Sequence, residues 1–306
     1  MKAAICTRYG PPEVLQIEEV PLPQIKENEV LIRVAAFPVT TPDRRIRGIV
    51  VPFPVVGFIF KIFLRAQFGF MKPKLVLGSY LAGRIEAVGS QVTGYQVGDE
   101  VFAFTGAVRG AYAEYSCLSE DAVMALKPQN LSFEQSAALP YGGLSALCFL
   151  NRIGGIKEGQ KVLIIGASGS IGSSVVQLAK HYGAEVWGMC RGERAELVKS
   201  LGADHIIDFE TTDFTKGSMK YDLVFDAAGA SSAAKCKGII AENGNFLTVF
   251  SSVTILQKDD LELLKNLAEQ GEFKPLIDRS YAFEEIAAAH RYADEGHPKG
   301  AVLVLL

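Results

Sequence analysis

Residues 161–172 read KVLIIGASGSIG, and this stretch decides the fold. The run from Val162 to Ile165 is apolar and mostly β-branched, which is typical of a strand buried on both faces of a parallel sheet. Three glycines follow at three-residue spacing, and from Ile171 onward apolar residues recur with helical period. The pattern predicts a strand, a glycine turn and a helix, which is the context in which a glycine motif indicates a phosphate site.

The glycine turn predicts a dinucleotide-binding site. Ala167-x-Gly169-x-x-Gly172 aligns with the dinucleotide fingerprint, with Ala167 in the place of the first glycine. Gly169 lets the backbone approach a pyrophosphate, Gly172 lets the helix pack closely on the strand, and the helix N-terminus faces the phosphates. The alternative is a connection that binds nothing. We favour the dinucleotide, and the loop residues expected to hold it are Ala167, Ser168, Gly169, Ser170, Ile171 and Gly172.

Composition narrows the class of protein. A chain of 306 residues, about half of them apolar, suits two globular domains, and a net charge of −3 argues against nucleic-acid binding. The five cysteines and four histidines are dispersed, so we expect no metal site and no disulfide framework. Prolines interrupt residues 1–30, which leaves no signal peptide and predicts a cytoplasmic protein.

Residues 50–70 form one largely apolar stretch. Prolines, a glycine and two basic residues break it, so we expect no membrane span. Three interpretations stay open: a flap over an apolar substrate, a segment that seeks an interface, and a buried packing helix.

The order of elements predicts two kinds of domain. Alternating apolar residues and frequent turn signals predict an antiparallel, partly barrel-like domain over the first ~120 residues. From the capping box at Ser132 we expect a helix up to Pro140 and a second one over 143–150. Strands are then predicted at 162–165, 185–189, 205–208, 223–226 and 246–250, as in a parallel, doubly wound sheet. A helix over 259–271 follows, and a helix over 283–294 and a strand over 300–306 are expected to return to the first domain.

Short motifs occur in a fixed order along nearly the whole chain. They include NEVLIRV at 28–34, GSYLAGRIEAVG at 78–89, VGDEVF at 97–102, GAYAEY at 110–115 and AALPYGGLSA at 137–146. Together with the fingerprint they resemble the medium-chain dehydrogenase/reductase superfamily, and more narrowly its zinc-independent quinone oxidoreductase (zeta-crystallin-like) family. The resemblance implies an α/β fold: a discontinuous GroES-like β-barrel catalytic domain (1–122 and 272–306) plus an NADPH-binding Rossmann domain with a doubly wound parallel sheet (123–271).

The same resemblance implies a function. We expect a homodimeric reductase that delivers hydride from NADPH to quinones or α,β-unsaturated carbonyls in the cleft between its domains. Zinc-using relatives carry Gly-His-Glu where this chain has Gly78-Ser79-Tyr80, so zinc independence is expected. Relatives also carry an acid in place of Tyr80 and often a tyrosine in place of Phe209, and their connection after Phe250 is longer. An enoyl-thioester reductase and a non-catalytic NADPH-binding redox sensor therefore stay open as alternatives.

The end of the second Rossmann strand bears on the choice of nucleotide. NAD sites place a carboxylate there, whereas this strand ends at Cys190 and is followed by Arg191 and Arg194. Guanidinium groups suit a 2′-phosphate, so the sequence predicts NADPH, although Glu193 argues against it and both arginines could simply be solvated. The remaining predicted cofactor contacts are Ser145, Gly229, Phe250 and Ser251, and Gly229 could equally be an ordinary turn glycine.

Catalytic residues are harder to identify, because the cofactor supplies the hydride and the protein mainly orients the reactants. Weak candidates for the proton donor are Thr40, Asp43, Arg47 and Tyr141. For Asp43 and Arg47 we favour a pair that fixes a loop.

Overall fold

The computed structural model describes residues 1–49, 75–106, 110–251, 256–296 and 298–306, so the apolar stretch 50–70 lies outside the described residues. The chain divides into two compact units, Met1–Pro140 with Ile277–Leu306, and Tyr141–Leu276. The sequence placed the boundaries at 122/123 and 271/272. The observed first boundary lies later partly because a strand at Met124–Leu126 pairs inside the first unit.

The first unit is built mainly from antiparallel strands, as the sequence predicted, although its last two strands pair in parallel. Its strands are β1 (Lys2–Cys6), β2 (Leu15–Glu19), β3 (Glu29–Pro38), β4 (Leu75–Val76), β5 (Tyr80–Val88), β6 (Glu100–Phe104), β7 (Tyr115–Ser119), β8 (Met124–Leu126), β14 (Ile277–Ala282) and β15 (Ala301–Leu305). Within the described residues, one sheet has the order β2-β1-β4 and the other β14-β15-β3-β5-β6-β8, with β7 also on β3. Because β15 pairs antiparallel with β3, the C-terminal segment belongs to the same sheet as the N-terminal strands.

Among the described residues, two helices pack on this barrel. Helix α1 spans Thr41–Gly48 and helix α7 spans Ile286–Asp294, preceded by a 3-10 turn at Phe283–Glu285. The apolar face of α7 packs into the core of the barrel, next to Phe37, Tyr112 and Val304. A further 3-10 turn lies at Pro12–Val14.

The second unit is a parallel, doubly wound sheet, as predicted. Its strands are β9 (Lys161–Ile165), β10 (Glu185–Cys190), β11 (His205–Asp208), β12 (Tyr221–Asp226) and β13 (Ile240–Thr248), in the order β11-β10-β9-β12-β13. Its helices are α3 (Ser170–His181), α4 (Ala195–Ser200), α5 (Ala233–Cys236) and α6 (Lys258–Glu269), with 3-10 turns at Gly192–Arg194 and Phe214–Lys216. All its strand pairs are parallel, so the carboxyl ends of the strands lie along one edge.

The last strand of this sheet differs from the prediction of 246–250. Strand β13 begins at Ile240, which pairs with Tyr221, and it ends at Thr248. Its first half contains polar, exposed residues and Gly244, because it lies at the edge of the sheet and has a register shift next to Tyr221. The apolar residues within 246–250 therefore did not indicate where this strand begins.

The predicted helix break at Pro140 is wrong. Helix α2 runs without interruption over Phe133–Leu147 and continues as a π-helical segment, Cys148–Ile153. Its predicted capping box is confirmed, since Ser132 N donates to Gln135 Oε1 (3.0 Å) and Gln135 N to Ser132 Oγ (3.1 Å). Beyond Pro140 the backbone is packed closely: a Cβ on Gly142 would stand 2.4 Å from Ser170 O. Such contacts favour a continuous helix despite the hydrogen bond lost at Pro140.

Candidate functional site

The glycine turn after β9 is anchored to the neighbouring strand. Gly166 has φ of +80°, a conformation that favours glycine, and its N–H and that of Ala167 both donate to Met189 O at 3.1 and 3.0 Å. Because Met189 lies in β10, these bonds hold the turn against the end of the sheet. Helix α3 then begins with Gly169 as its N-cap.

The two later glycines of the motif have different surroundings. A Cβ on Gly172 would stand 2.1 Å from Gly166 O, so only glycine lets α3 approach the strand this closely. A Cβ on Gly169 would meet Gly166 O at 3.6 Å, which is ordinary contact, and nothing nearer in the described chain. The fold itself therefore requires glycine at position 172, whereas at position 169 it leaves open space.

The amide groups beside this open space are available to a ligand. The first hydrogen bond of α3 runs from Ser173 N to Gly169 O at 2.8 Å. For the N–H groups of Ser170, Ile171 and Gly172, the described residues supply no acceptor. Three such N–H groups at the positive end of a helix dipole form an anion site. The residues of this turn thus fit the pyrophosphate of a dinucleotide.

Two arginines follow β10, and their surroundings differ. Arg194 is largely buried, and its Nη1 donates to Ser168 Oγ of the glycine turn at 3.2 Å, while its Nε lies 3.5 Å from Glu193 Oε1. Arg191 is more exposed, and its Nε lies 3.6 Å from Glu210 Oε1. The sequence favoured Arg191 because it stands nearer the strand, but Arg194 is the one that contacts the glycine turn.

Cys190 closes β10 as a buried side chain. Burial, and then the charge of Asp208, raise the pKa of its thiol. The side chain therefore stays neutral, and its backbone O accepts from Phe209 N at 3.3 Å.

The structure brings together two other predicted contacts, Gly229 and Phe250. Gly229 has φ of +67°, and a Cβ on it would stand 2.6 Å from the ring of Phe250. Ser251 closes the next turn, where its Oγ accepts from Thr248 N at 2.8 Å. These residues follow β12 and β13 at the carboxyl edge of the sheet, the edge at which open α/β sheets bind ligands.

Ser145 has a local role that its sequence position did not reveal. Its Oγ donates to Tyr141 O at 2.7 Å, one turn earlier in α2. A hydroxyl carries a single proton, so Ser145 donates to a phosphate only if this bond breaks.

Asp226 is a residue that sequence reasoning missed. Its carboxylate is fully buried at the end of β12 and accepts the N–H groups of Ala228 at 3.0 Å and Ser231 at 2.7 Å. These bonds shape the turn that carries Gly229. The signal was available, since an aspartate that directly follows a buried strand commonly binds the backbone a few residues ahead.

In the barrel unit, Thr40 and Asp43 cap helix α1. Thr40 Oγ1 donates to Asp43 Oδ2 at 2.5 Å, and the backbone N–H of each contacts the other's side chain at 3.4 Å. The other carboxylate oxygen of Asp43 accepts from Ser79 Oγ at 2.9 Å and from Gly78 N at 3.3 Å. Both side chains are fully buried, and these contacts tie α1 to the turn before β5.

Arg47 belongs to a buried network with helix α7. Its Nη2 donates to Asp294 Oδ2 at 2.5 Å, its Nε to Gly10 O at 3.2 Å, and its Nη1 lies 2.9 Å from His290 Nδ1. Because a guanidinium only donates, His290 Nδ1 accepts and Nε2 carries the proton toward Tyr112 OH, 3.1 Å away. Burial, and then the charges of Arg47 and Arg44, hold the pKa of His290 well below its ordinary value.

Three of the four candidate proton donors, Thr40, Asp43 and Arg47, therefore have structural contacts. The direct Asp43–Arg47 pair and the catalytic roles of Thr40, Asp43, Arg47 and Tyr141 stay predictions. Tyr80, which stands where relatives carry an acid, is buried, and its ring centroid lies 5.1 Å from that of Phe104.

Among the described residues, no three His, Cys, Asp or Glu side chains are grouped as a metal site requires. None of the helices in this part of the chain combines the length and apolar character that a membrane crossing needs.

Residues 26–128 match the family model described as alcohol dehydrogenase GroES-like domain, and residues 170–267 and 247–304 match two models described as zinc-binding dehydrogenase. The chain is 34% identical over 329 residues to a 2-methylene-furan-3-one reductase of Solanum lycopersicum, which covers 99% of this chain and 79% of the relative. It is 33% identical over 326 residues to an NADPH-dependent alkenal/one oxidoreductase, chloroplastic, of Arabidopsis thaliana, with the same two shares. The solved structure of the quinone oxidoreductase from Coxiella burnetii has a TM-score of 0.88 at 27% identity, covering 100% of this chain and 99% of that chain.

The first alignment also bears on the length of the chain. It spans 329 positions, more than the 306 residues present here, so the tomato relative carries residues that this chain lacks. Their predicted place, between Phe250 and α6, stays a prediction, because residues 252–255 lie outside the described part.

Proposed function

The chain belongs to the medium-chain dehydrogenase/reductase superfamily, in the group of quinone and alkenal/one oxidoreductases, and we propose that it is a zinc-independent, NADPH-dependent reductase of quinones or α,β-unsaturated carbonyls. The observation that carries this proposal is the set of N–H groups of Ser170, Ile171 and Gly172 beside the open space at Gly169. The names of the two plant relatives support the substrate class.

The protein's part in this reaction is binding and orientation. When bound, the nicotinamide cofactor supplies the hydride. The amide groups at the start of α3 would hold the pyrophosphate, and Gly229 and Phe250 shape the edge of the sheet beyond β12. The identity of the proton donor stays a prediction. So does the position of the reaction between the two domains.

The preference for NADPH over NADH rests on the two arginines after β10. Arg194 lies against Ser168 of the glycine turn, and Arg191 stands at the end of the strand. A guanidinium forms charge-assisted bonds with a 2′-phosphate. Substituting either arginine by alanine should weaken NADPH binding by about ten- to a hundredfold and leave NADH nearly unchanged, because one such bond contributes about 1.5–3 kcal/mol. An unchanged preference in both variants would remove the basis for NADPH.

Zinc independence rests on the side chains available at the position where relatives carry Gly-His-Glu. Ser79 and Tyr80 stand there, and Ser79 Oγ donates to Asp43. We expect the purified protein to hold no stoichiometric zinc by elemental analysis and to keep its activity after dialysis against a chelator. Loss of activity that added zinc restores would contradict this.

The test of the proposed activity is the loss of NADPH absorbance in stopped-flow mixing with a panel of quinones, enals, enones and enoyl thioesters. Turnover of quinones or enones, with little on thioesters, is the expected result. Preferred turnover of enoyl thioesters would favour the enoyl-thioester reductase, and tight NADPH binding without turnover of any acceptor would favour a redox sensor.

Two further properties belong to the same proposal. We propose a homodimer, to be checked by light scattering coupled to size-exclusion chromatography. We also propose a cytoplasmic location. Because one plant relative is named as chloroplastic, this location should be tested by cell fractionation.

A further inference from the structure

We propose that Glu210 sets the degree of preference for NADPH by competing with the 2′-phosphate for Arg191 and by repelling that phosphate. This inference rests on the proposed function, because it concerns the phosphate that distinguishes NADPH from NADH. Glu210 follows β11, the strand beside β10, and its carboxylate lies 3.6 Å from the Nε of Arg191. The Glu210 carboxylate therefore lies next to Arg191, the arginine that follows the end of β10.

The backbone fixes Glu210 in this position. Its N–H donates to Asp208 Oδ1 at 3.0 Å, and the carbonyl of Asp208 accepts from Thr212 N at 2.9 Å. The preceding residue, Phe209, donates its N–H to Cys190 O at 3.3 Å, which ties this turn to the end of β10. The turn thus presents Glu210 to Arg191 through several bonds that do not depend on the glutamate side chain itself.

The contact between the two side chains is an ion pair and not a tight hydrogen bond. At 3.6 Å the pair exceeds normal hydrogen-bond length, and both side chains are partly exposed, with 37% of Arg191 and 55% of Glu210 accessible. Such a pair is worth little by itself, so Arg191 can exchange the carboxylate for another anion. A 2′-phosphate, with more charge and three acceptor oxygens, is such an anion.

The local charge makes Glu210 selective between the nucleotides. Around the end of β10, the guanidinium groups of Arg191 and Arg194 lie next to Glu210 and Glu193, and the carboxylate of Asp208 lies beside Gly192. A dianionic phosphate entering here meets a surplus of negative charge, whereas the 2′-hydroxyl of NADH carries none. Glu210 therefore penalises NADPH and has little effect on NADH. Replacing it should raise the preference for NADPH by about three- to tenfold, the size of one partly screened charge interaction.

The experiment is calorimetric titration of the full chain with NADPH and NADH, for the wild type and for Glu210→Gln. The matched control is Glu196→Gln, which removes the same charge from α4, where Glu196 is paired with Lys199 on its own helix. We expect Glu210→Gln to lower the Kd of NADPH about three- to tenfold and to leave that of NADH within twofold. Glu196→Gln should change neither.

The titrations show whether this inference fails alone or the proposed function fails with it. If Glu210→Gln weakens NADPH or leaves its Kd unchanged while the wild type binds it, Glu210 orients Arg191 or has no role, and the inference is overturned alone. If the wild type binds neither nucleotide, the proposed function fails as well. In an Arg191→Ala background the effect of Glu210→Gln should shrink, because part of it acts through Arg191.

Discussion

Gly169→Ala should separate nucleotide binding from folding. Gly169 has φ of −82° and ψ of 172°, which any residue adopts, and within the described chain its Cβ would meet only Gly166 O, at 3.6 Å. The protein itself tolerates alanine there, and the smaller entropy of the unfolded chain should stabilise the variant by about 0.4–1 kcal/mol. The added methyl group stands, however, in the space where we place the pyrophosphate.

Gly172→Ala is the matched comparison within the same motif. Its Cβ would lie 2.1 Å from Gly166 O and 2.8 Å from Gly166 C, so the backbone of the turn must move. Overpacking of this kind lowers the free energy of unfolding by about 1–3 kcal/mol, and here it disturbs the packing of α3 against β9. We expect a lower melting temperature without nucleotide, together with weaker binding.

The assay is thermal unfolding without nucleotide, followed by calorimetric titration with NADPH. For Gly169→Ala we expect an unchanged or slightly higher melting temperature and a Kd at least tenfold higher, which corresponds to a loss of about 1.4 kcal/mol. Wild-type affinity in Gly169→Ala would refute the placement of the pyrophosphate. A melting temperature that falls as far as in Gly172→Ala would refute the interpretation of the open space.

Three further predictions concern side chains outside the nucleotide site. Because the pKa of His290 is held well below its ordinary 6.5, the unfolded chain binds more protons as the pH falls below 6.5. Stability should therefore decrease on acidification by up to about 1.4 kcal/mol per pH unit from this group, and His290→Gln should flatten the profile in urea denaturation between pH 7 and 5. Thr40→Val should cost about 1 kcal/mol through loss of the cap on α1, whereas Thr40→Ser should not; a loss of kcat in Thr40→Val at full occupancy, with folding intact, would instead support a catalytic hydroxyl. Burial, and then Glu29, raise the pKa of Cys117 to about 11, so alkylation followed by mass spectrometry should be slow at pH 8 and speed up about tenfold per pH unit; fast labelling at pH 8 would contradict this.

Elements with a strong local signal could be predicted from the sequence. The apolar run of β9, the glycine spacing and the helical period of α3 each report on the same few residues, and the structure agrees at all three. The capping box of α2 is likewise a contact between near neighbours in sequence. Where the deciding contact is distant, prediction failed: Pro140 does not end α2, because packing of Gly142 and Gly143 against Ser170 and Leu264 decides the backbone there.

In the nucleotide site, too, contacts that the sequence does not show decide which single side chains are available to a ligand. The sequence predicted Arg191, Arg194 and Ser145 as cofactor contacts from residue type and from position along the chain. Whether each is available depends on its partners: Ser145 donates to a carbonyl of its own helix, and Arg191 faces an acid from the next strand. Glu210 is 19 positions from Arg191 and joins it only because β11 lies beside β10 in the sheet. Cofactor preference is therefore expected to depend on strand order as much as on the motif, and substitutions after β11 should tune it without any change in residues 161–172.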